Sequence, residues 1–292
     1  MPRHITEVPL RWADMDAYRH VNNTAYLRYL QEARVDMLFV HAAQRGAPEL
    51  AAGVVVNRHE IDYLAPLRFR LAPLRVETWV REVRNATFTL GYEILDADSE
   101  HRHVYARATT VLVPYHLATS SPRRVSADER AVLETYVDAD GARPRAGGAA
   151  RPARSEVAKT HVYSCAVRFD DLDSYGHVNN VQFAEYIQEA RIDFVEHSFA
   201  GGVANHGGSV VAGQSIEYLA PVPFRIEPLQ VYVWVSRIGA SSFDLAYEVA
   251  DEHQVFARCA TMIVAYDFDA HRSRQLTPTE QAGLEPFLKV GT

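Results

Sequence analysis

Apolar residues recur along the first half of the chain in two rhythms. Tyr26, Leu30, Ala33 and Met37 fall three to four residues apart, the spacing of one helix face. Leu74, Val76, Thr78 and Val80 then alternate with polar neighbours, as do Phe88, Leu90, Tyr92 and Ile94, which is strand periodicity. A further strand is predicted over Val104–Val113, another around the "IDYLAP" string, and a first one near Ile5–Trp12. The series closes on "SADE" at 126–129, a capping box that starts a short helix. One long helix after a first strand, with four strands behind it, predicts an α+β unit whose sheet is antiparallel and covers the helix's apolar stripe.

The second half repeats this pattern. Phe183, Ile187, Ala190 and Phe194 take the helical spacing, and Leu229, Val231, Val233 and Val235 alternate. So do Phe243, Leu245, Tyr247 and Val249, and Val255–Val264 gives the last strand. The first strand returns near Val162–Phe169, and "TPTE" at 277–280 is the second capping box. The match is literal as well as periodic. "RWADMDAYRHVNNTAYLRYLQEARVD" (11–36) and "RFDDLDSYGHVNNVQFAEYIQEARID" (168–193) share fourteen of 26 positions at a constant offset of 157. "IDYLAPLRF" (61–69) pairs with "IEYLAPVPF" (216–224) in the same order. This is the tandem duplication of a whole domain. It predicts domains at 1–137 and 158–292, joined by a Gly/Pro/Arg-rich linker at 138–157. That linker could span roughly 65 Å if extended. Its Arg143, Arg145, Arg151 and Arg154 read as a solvated tether, with a ligand phosphate contact as the sharper alternative.

Composition narrows the function classes. Of 292 residues, 48% are hydrophobic and the net charge is −7, which argues against a nucleic-acid binder. No apolar run reaches the length of a membrane span, and "MPRHITEVPLRWADMD" lacks the apolar stretch of a signal peptide, so a cytoplasmic protein is the expectation. Cys165 and Cys259 form no metal or redox spacing. His101 and His103 stand two apart without further ligands, so no metal is expected. Trp79 and Trp234 match between the copies and read as packing residues.

The chemistry concentrates in "DMDAYRHVNN" (14–23) and "DLDSYGHVNN" (171–180). Each places a pair of acids, then a histidine, just ahead of a helix start. A carboxylate can attack a carbonyl or activate water, and a helix N-terminus offers free N–H groups to an oxyanion. Asp14 and Asp171 read as turn acids bonded to their own backbone. Asp16 and Asp173 are the candidate reacting carboxylates. His20 and His177 are candidates to orient a carbonyl or water, and Asn22 and Asn179 either do the same or cap the helix. Asp62 and Glu217 face the site only if strand parity turns them that way. In "QEAR", Glu32–Arg34 and Glu189–Arg191 are too close in sequence to face one another and read as surface or interface residues.

The D-x-D-x-x-x-H-V-N-N string, with "YLRYLQEAR" or "FAEYIQEAR" behind it and the "I(D/E)YLAP" strand, resembles the hotdog-fold thioesterases. The likeness is greatest to the group acting on 4-hydroxybenzoyl-CoA and long-chain acyl-CoA, and plant acyl-ACP thioesterases are similar at the same string. The resemblance covers both halves. It implies a curved antiparallel sheet around each long helix, and two such domains paired as a pseudo-dimer with active sites at their interface. It implies Asp16 and Asp173 as nucleophile or general base, and the backbone N–H near Asn23 and Asn180 as oxyanion donor. It implies hydrolysis of acyl-CoA to free acid and CoA with no cofactor beyond the CoA of the substrate. Acyl carrier protein is an alternative carrier, and double-hotdog chains are expected to form homo-oligomers.

Two other readings stay open. A hotdog enoyl-CoA hydratase or dehydratase also uses an acid and a histidine, but its D-x-N-x-x-H pattern sets them five positions apart, against four here. A non-catalytic acyl-CoA-binding protein would have little need of the repeated acid. The copies differ before the histidine, Arg19 against Gly176. If that position needs a positive φ, Arg19 is strained, and the expectation is a displaced Asp16 and a weaker first site.

Overall fold

In the computed structural model the chain forms two compact domains, 1–145 and 146–292. The structure describes residues 3–96, 102–119, 121–138, 141, 144, 159–199 and 208–288. The predicted linker lies outside them except for Asp138, Gly141 and Pro144, and so does His101. No described helix is long and apolar enough to cross a membrane.

The first domain runs β1 (His4–Val8), α1 (Asn23–Val35) continuing into a π-helical stretch (Asp36–Ala42), and a single turn α2 (Glu49–Ala52). There follow β2 (Val54–Tyr63), β3 (Leu74–Val83), β4 (Phe88–Asp96), β5 (Val104–His116), β6 (Ser121–Pro122) and α3 (Ala127–Glu134). Its sheet is antiparallel in the order β1-β3-β4-β5-β2. The second domain repeats this with β7 (His161–Cys165), α4 (Gln182–Ser198), β8 (Ser209–Tyr218), β9 (Leu229–Ile238), β10 (Ser242–Ala250), β11 (Val255–Asp267), β12 (Arg272–Ser273) and α5 (Pro278–Leu284). Its sheet order is β7-β9-β10-β11-β8.

The alternation read in the sequence sets the faces of each sheet. In register across the first sheet stand Thr78, Tyr92 and Ala108, then Val76, Ile94 and Ala106, all on one face. Tyr26, Leu30, Ala33 and Met37 of the helix are buried, and so are their repeats Phe183, Ile187, Ala190 and Phe194. Truncating a wholly buried residue such as Leu30 to Ala would cost about 2–5 kcal/mol. Each domain is thus a hotdog unit, one long helix on an antiparallel sheet.

Three details depart from the sequence reading. The first strands stop at Val8 and Cys165, short of the predicted Trp12 and Phe169. Pro9 cannot donate to a ladder, and a 3₁₀ turn at Trp12–Asp14, repeated at Phe169–Asp171, re-aims the chain. Arg34 is 7% exposed, not a surface residue, and its charge acts on the fully buried Tyr92. The helix of the first domain changes to π geometry at Asp36, whereas its repeat stays α-helical to Ser198.

Candidate active site

The repeated string folds into a short loop between a 3₁₀ turn and the long helix. Its first acid is an anchor, as a turn acid should be. Asp14 is buried, and its Oδ2 accepts from the Arg11 N–H at 2.8 Å and the Tyr29 hydroxyl at 2.7 Å. Its carbonyl accepts from the Asn22 N–H at 2.8 Å. Asp171 does the same with the Arg168 N–H (2.7 Å), the Tyr186 hydroxyl (2.7 Å) and the Asn179 N–H (2.8 Å). Burial and the hydrogen bond to the acid both push the Tyr29 and Tyr186 phenols up, so each remains a donor. The acid therefore ties the turn to the second turn of the helix.

The second acid closes the loop on itself. Oδ1 of Asp16 accepts from the Tyr18 N–H at 2.8 Å and the His20 N–H at 3.1 Å. The Asp16 N–H donates to the His20 carbonyl at 2.8 Å and the Arg19 N–H to the Asp16 carbonyl at 3.2 Å. In the second domain the corresponding distances are 2.8 Å from Tyr175, 3.3 Å from His177, 2.8 Å, and 3.0 Å from Gly176. Each loop thus holds one carboxylate oxygen in place. Among the described residues nothing donates to the other oxygen of Asp16 or Asp173, and both acids are half-buried. The imidazoles of His20 and His177, also half-buried, take no hydrogen bond from a described residue; their backbone does the loop's bonding.

The loop is fastened to the sheet and to the helix start. The Val21 and Val178 N–H groups donate at 2.8 Å to the carbonyls of Leu67 and Val222, beyond the "YLAP" strings. Asn22 caps α1, its Oδ1 accepting from the Thr24 N–H at 3.1 Å. Asn179 accepts from the Val181 N–H at 3.3 Å and from Asn180 Nδ2 at 3.2 Å, and α4 begins at Gln182. The Asn23 N–H, first of its helix, has no acceptor among the described residues.

Two tyrosines that the sequence reading passed over complete the frame. The Tyr63 hydroxyl donates to the Asn23 carbonyl at 2.9 Å, and Tyr218 to Asn180 at 2.7 Å. Each also sets its ring edge-on to a helix aromatic, Tyr26 at 5.2 Å or Phe183 at 5.3 Å. Tyr26 is close enough to Asp16 for that carboxylate to act on its phenol. The available signal was the shared tyrosine of "IDY" and "IEY". Asp62 and Glu217, one residue earlier, point to the opposite sheet face by strand alternation. There they stand across from Arg107 and Arg258. Of the candidate residues, the fold therefore groups Asp16, His20, Asn22 and Asn23, and Asp173, His177, Asn179 and Asn180, and leaves Asp62 and Glu217 on the other face.

A carboxylate with a fixed orientation, an unengaged oxygen and a histidine at the start of a helix is suited to acyl transfer to water. Comparison with known proteins agrees at the level of family. The family model of the thioesterase-like superfamily matches residues 10–138 and 167–286. Among curated proteins, YsmA of Bacillus subtilis (strain 168) is 37% identical over 82 residues, which are 28% of this chain and 55% of that protein; the match spans about half of that relative's length. A putative oleoyl thioesterase from Lactobacillus plantarum superposes over 90% of this chain and 95% of its own, with a TM-score of 0.67 and 14% identity. The 12:0-ACP thioesterase from Umbellularia californica does so over 92% and 97%, with a TM-score of 0.64 and 14% identity. Those two likenesses are of fold. With the family match covering the greater part of both halves, this chain belongs to the thioesterase-like superfamily.

Proposed function

We propose that the chain hydrolyses acyl-CoA thioesters to the free acid and CoA, with Asp16 and Asp173 as the reacting carboxylates. The observation that carries this is the repeated geometry of the second acid. Its Oδ1 is held by two N–H groups of its own loop, and Oδ2 is left for a reactant, just ahead of the long helix. Oδ2 either attacks the thioester carbon, the C–S bond breaking to release CoA as its thiolate and leaving an acyl-enzyme anhydride that water then opens, or takes a proton from the attacking water, whose oxygen displaces the CoA thiolate. In both routes the carbonyl oxygen becomes an oxyanion, and the N–H groups at the helix start, with Asn23 foremost in the first domain, are its donors. His20 and His177 orient the carbonyl or the water. Asn22 and Asn179 spend their side-chain oxygens on the helix start, so their part is to fix it rather than to touch substrate.

The CoA carrier is the part of this reading with an alternative in the neighbours, two of which are described as acyl-ACP thioesterases. The net charge of −7 disfavours docking an acidic carrier protein. The test is thiol release from acyl-CoA esters of graded chain length and from aromatic acyl-CoA, each beside the matching acyl carrier protein ester. Turnover of a CoA ester at least tenfold faster than of the carrier ester is expected. Turnover of carrier esters alone would reverse the carrier assignment. Loss of an enoyl chromophore without thiol release would make the chain a hydratase, and binding without either would make it a non-catalytic acyl-CoA protein.

A further inference from the structure

Away from the loops, each domain brings two histidines and an aspartate together. His4, Asp36 and His41 meet in the first domain and His161, Asp193 and His197 in the second. Within each group one ligating atom from every residue lies within 4.8 Å of the others. His4 and His161 open the edge strands β1 and β7, and the other two residues of each group lie on the far half of the long helix. His4 Nε2 is 2.7 Å from Asp36 Oδ2, and His41 Nε2 is 3.6 Å from Asp36 Oδ1. His161 Nε2 is 2.6 Å from Asp193 Oδ2, and His197 Nδ1 is 3.5 Å from Asp193 Oδ1 and 2.7 Å from the Asp193 carbonyl oxygen, a hydrogen bond that an ion would replace. The Thr6 hydroxyl orients Asp36 with a 2.9 Å bond to Oδ2.

The helix geometry shows that the second histidine is held in place against a change in the sequence. His197 follows Asp193 by four residues, but His41 follows Asp36 by five. In an α-helix the residue at i+4 lies over residue i, and the one at i+5 turns away. The Asp36–Ala42 stretch is π-helical, and its i→i+5 ladder returns the fifth residue to the aspartate's side. The extra residue of the first copy is thus absorbed where it keeps the histidine beside Asp36 and His4.

We propose that each His–Asp–His group binds one divalent transition-metal ion, Zn²⁺ by the character of its donors. Two imidazoles and one carboxylate form a mixed N/O set that suits Zn²⁺ and is poor for Mg²⁺, and three protein ligands leave a fourth position for water. Ligand atoms about a tetrahedral ion with bonds of about 2.0–2.1 Å stand roughly 3.3 Å apart. In the first domain Asp36 meets the histidines through different oxygens, Oδ2 at 2.7 Å from His4 and Oδ1 at 3.6 Å from His41, so a small adjustment brings one carboxylate oxygen and both imidazoles around one ion. The thirteen residues of α1 separate this group from the acid loop by about 20 Å along the helix. The ion would therefore clamp the edge strand to the helix rather than join the hydrolysis.

The experiment uses the untagged full chain, stripped with a chelator and titrated with Zn²⁺ against a chromophoric competitor, with Mg²⁺ as a control. His41 and His197 have side chains 44% and 62% exposed, so His41→Ala and His197→Ala should leave the fold intact by circular dichroism. Two ions per chain are expected for the native protein, one for each single variant and none for the double variant. Zn²⁺ should raise Tm in the native chain and not in the double variant. Fewer than one ion per native chain, or the same stoichiometry in the double variant, would overturn the proposal and leave the groups as hydrogen-bonded staples.

Discussion

Arg19 has φ 62° and Gly176, its repeat, φ 77°. The turn between acid and histidine therefore needs the left-handed region in both copies, as the Arg/Gly difference suggested. The expected consequence for Asp16 is absent. The loop hydrogen bonds of the two domains agree within 0.2 Å, so the strain at Arg19 is borne without displacing the acid. A Cβ built on Gly176 meets nothing within 4 Å, which leaves the backbone as the sole cost of a side chain there. A non-glycine residue in this region costs about 1–2 kcal/mol, and the freer unfolded chain of glycine takes back about 0.4–1. Arg19→Gly should accordingly raise Tm by about 2 °C, and Gly176→Ala should lower it by a similar amount. In an Asp173→Asn background, Arg19→Gly should leave the turnover of the first site unchanged. Differential scanning calorimetry and thiol release read the two effects separately. A several-fold rise in turnover would show that Arg19 does disturb its acid. At this scale the sequence disclosed the candidate acids and histidines and the capping Asn22, because they are contiguous. In the second copy the helix starts two residues later, at Gln182, with Val181 at the cap position instead of Asn179 or Asn180. It did not disclose Tyr29, Tyr63 or the His4–Asp36–His41 group. Their partners lie 15, 40 and 32 residues away, and only the fold brings them together.

Among the elements, strands and caps follow local rules and were legible. Alternation gave the faces of β3, β4, β9 and β10. The "SADE" and "TPTE" boxes close as read, Ser126 Oγ accepting from the Glu129 N–H and Thr277 Oγ1 from the Glu280 N–H, each at 3.2 Å. What the pattern did not carry was the second use of these glutamates. Glu129 is fully buried and takes both arms of Arg123, at 2.6 and 2.8 Å, and Arg274 grips Glu280 in the same way. Burial alone would raise the Glu129 carboxyl; the Arg123 guanidinium and the Ser126 N–H outweigh it and hold it below the ordinary carboxylate range. With the folded value depressed, the stabilisation is complete above the unfolded pKa of about 4.3. It is lost as pH falls through the folded value. Glu129→Gln should cost about 3 kcal/mol at pH 7, since it removes the two-pronged partner of a largely buried guanidinium and leaves it, among the described residues, only the 3.8 Å ion pair with the exposed Glu49. Calorimetry at pH 7 and at pH 3 should show the gap between variant and native chain narrowing in acid. A gap independent of pH would mean that Glu129 acts through its cap alone. The π-helical stretch was likewise hidden, because nothing local distinguishes a one-residue insertion that bulges a helix from one that lengthens a loop.

For the whole molecule, duplication is the most informative property. The same acid loop, tyrosine brace and buried Arg–Glu cap occur in both domains, although the chain between the matched strings has drifted in length and composition. Family membership and the hotdog unit were readable because several matched strings stood in one order twice. The acyl group of the proposed substrate was not, because no matched string bears on it, and the segments behind the long helices, 41–53 and 197–213, share no pattern in the sequence. The claim on which the functional account rests is that Asp16 and Asp173 perform the hydrolysis. The most direct measurement is single-turnover and steady-state thiol release by the Asp16→Asn/Asp173→Asn double variant on the best acyl-CoA substrate, with circular dichroism and Tm as the check on folding. Asparagine keeps the loop's Oδ1 bonds but neither attacks nor takes a proton, so the account predicts a folded protein with turnover reduced by at least about 10²-fold. A folded double variant with near-native turnover would contradict it.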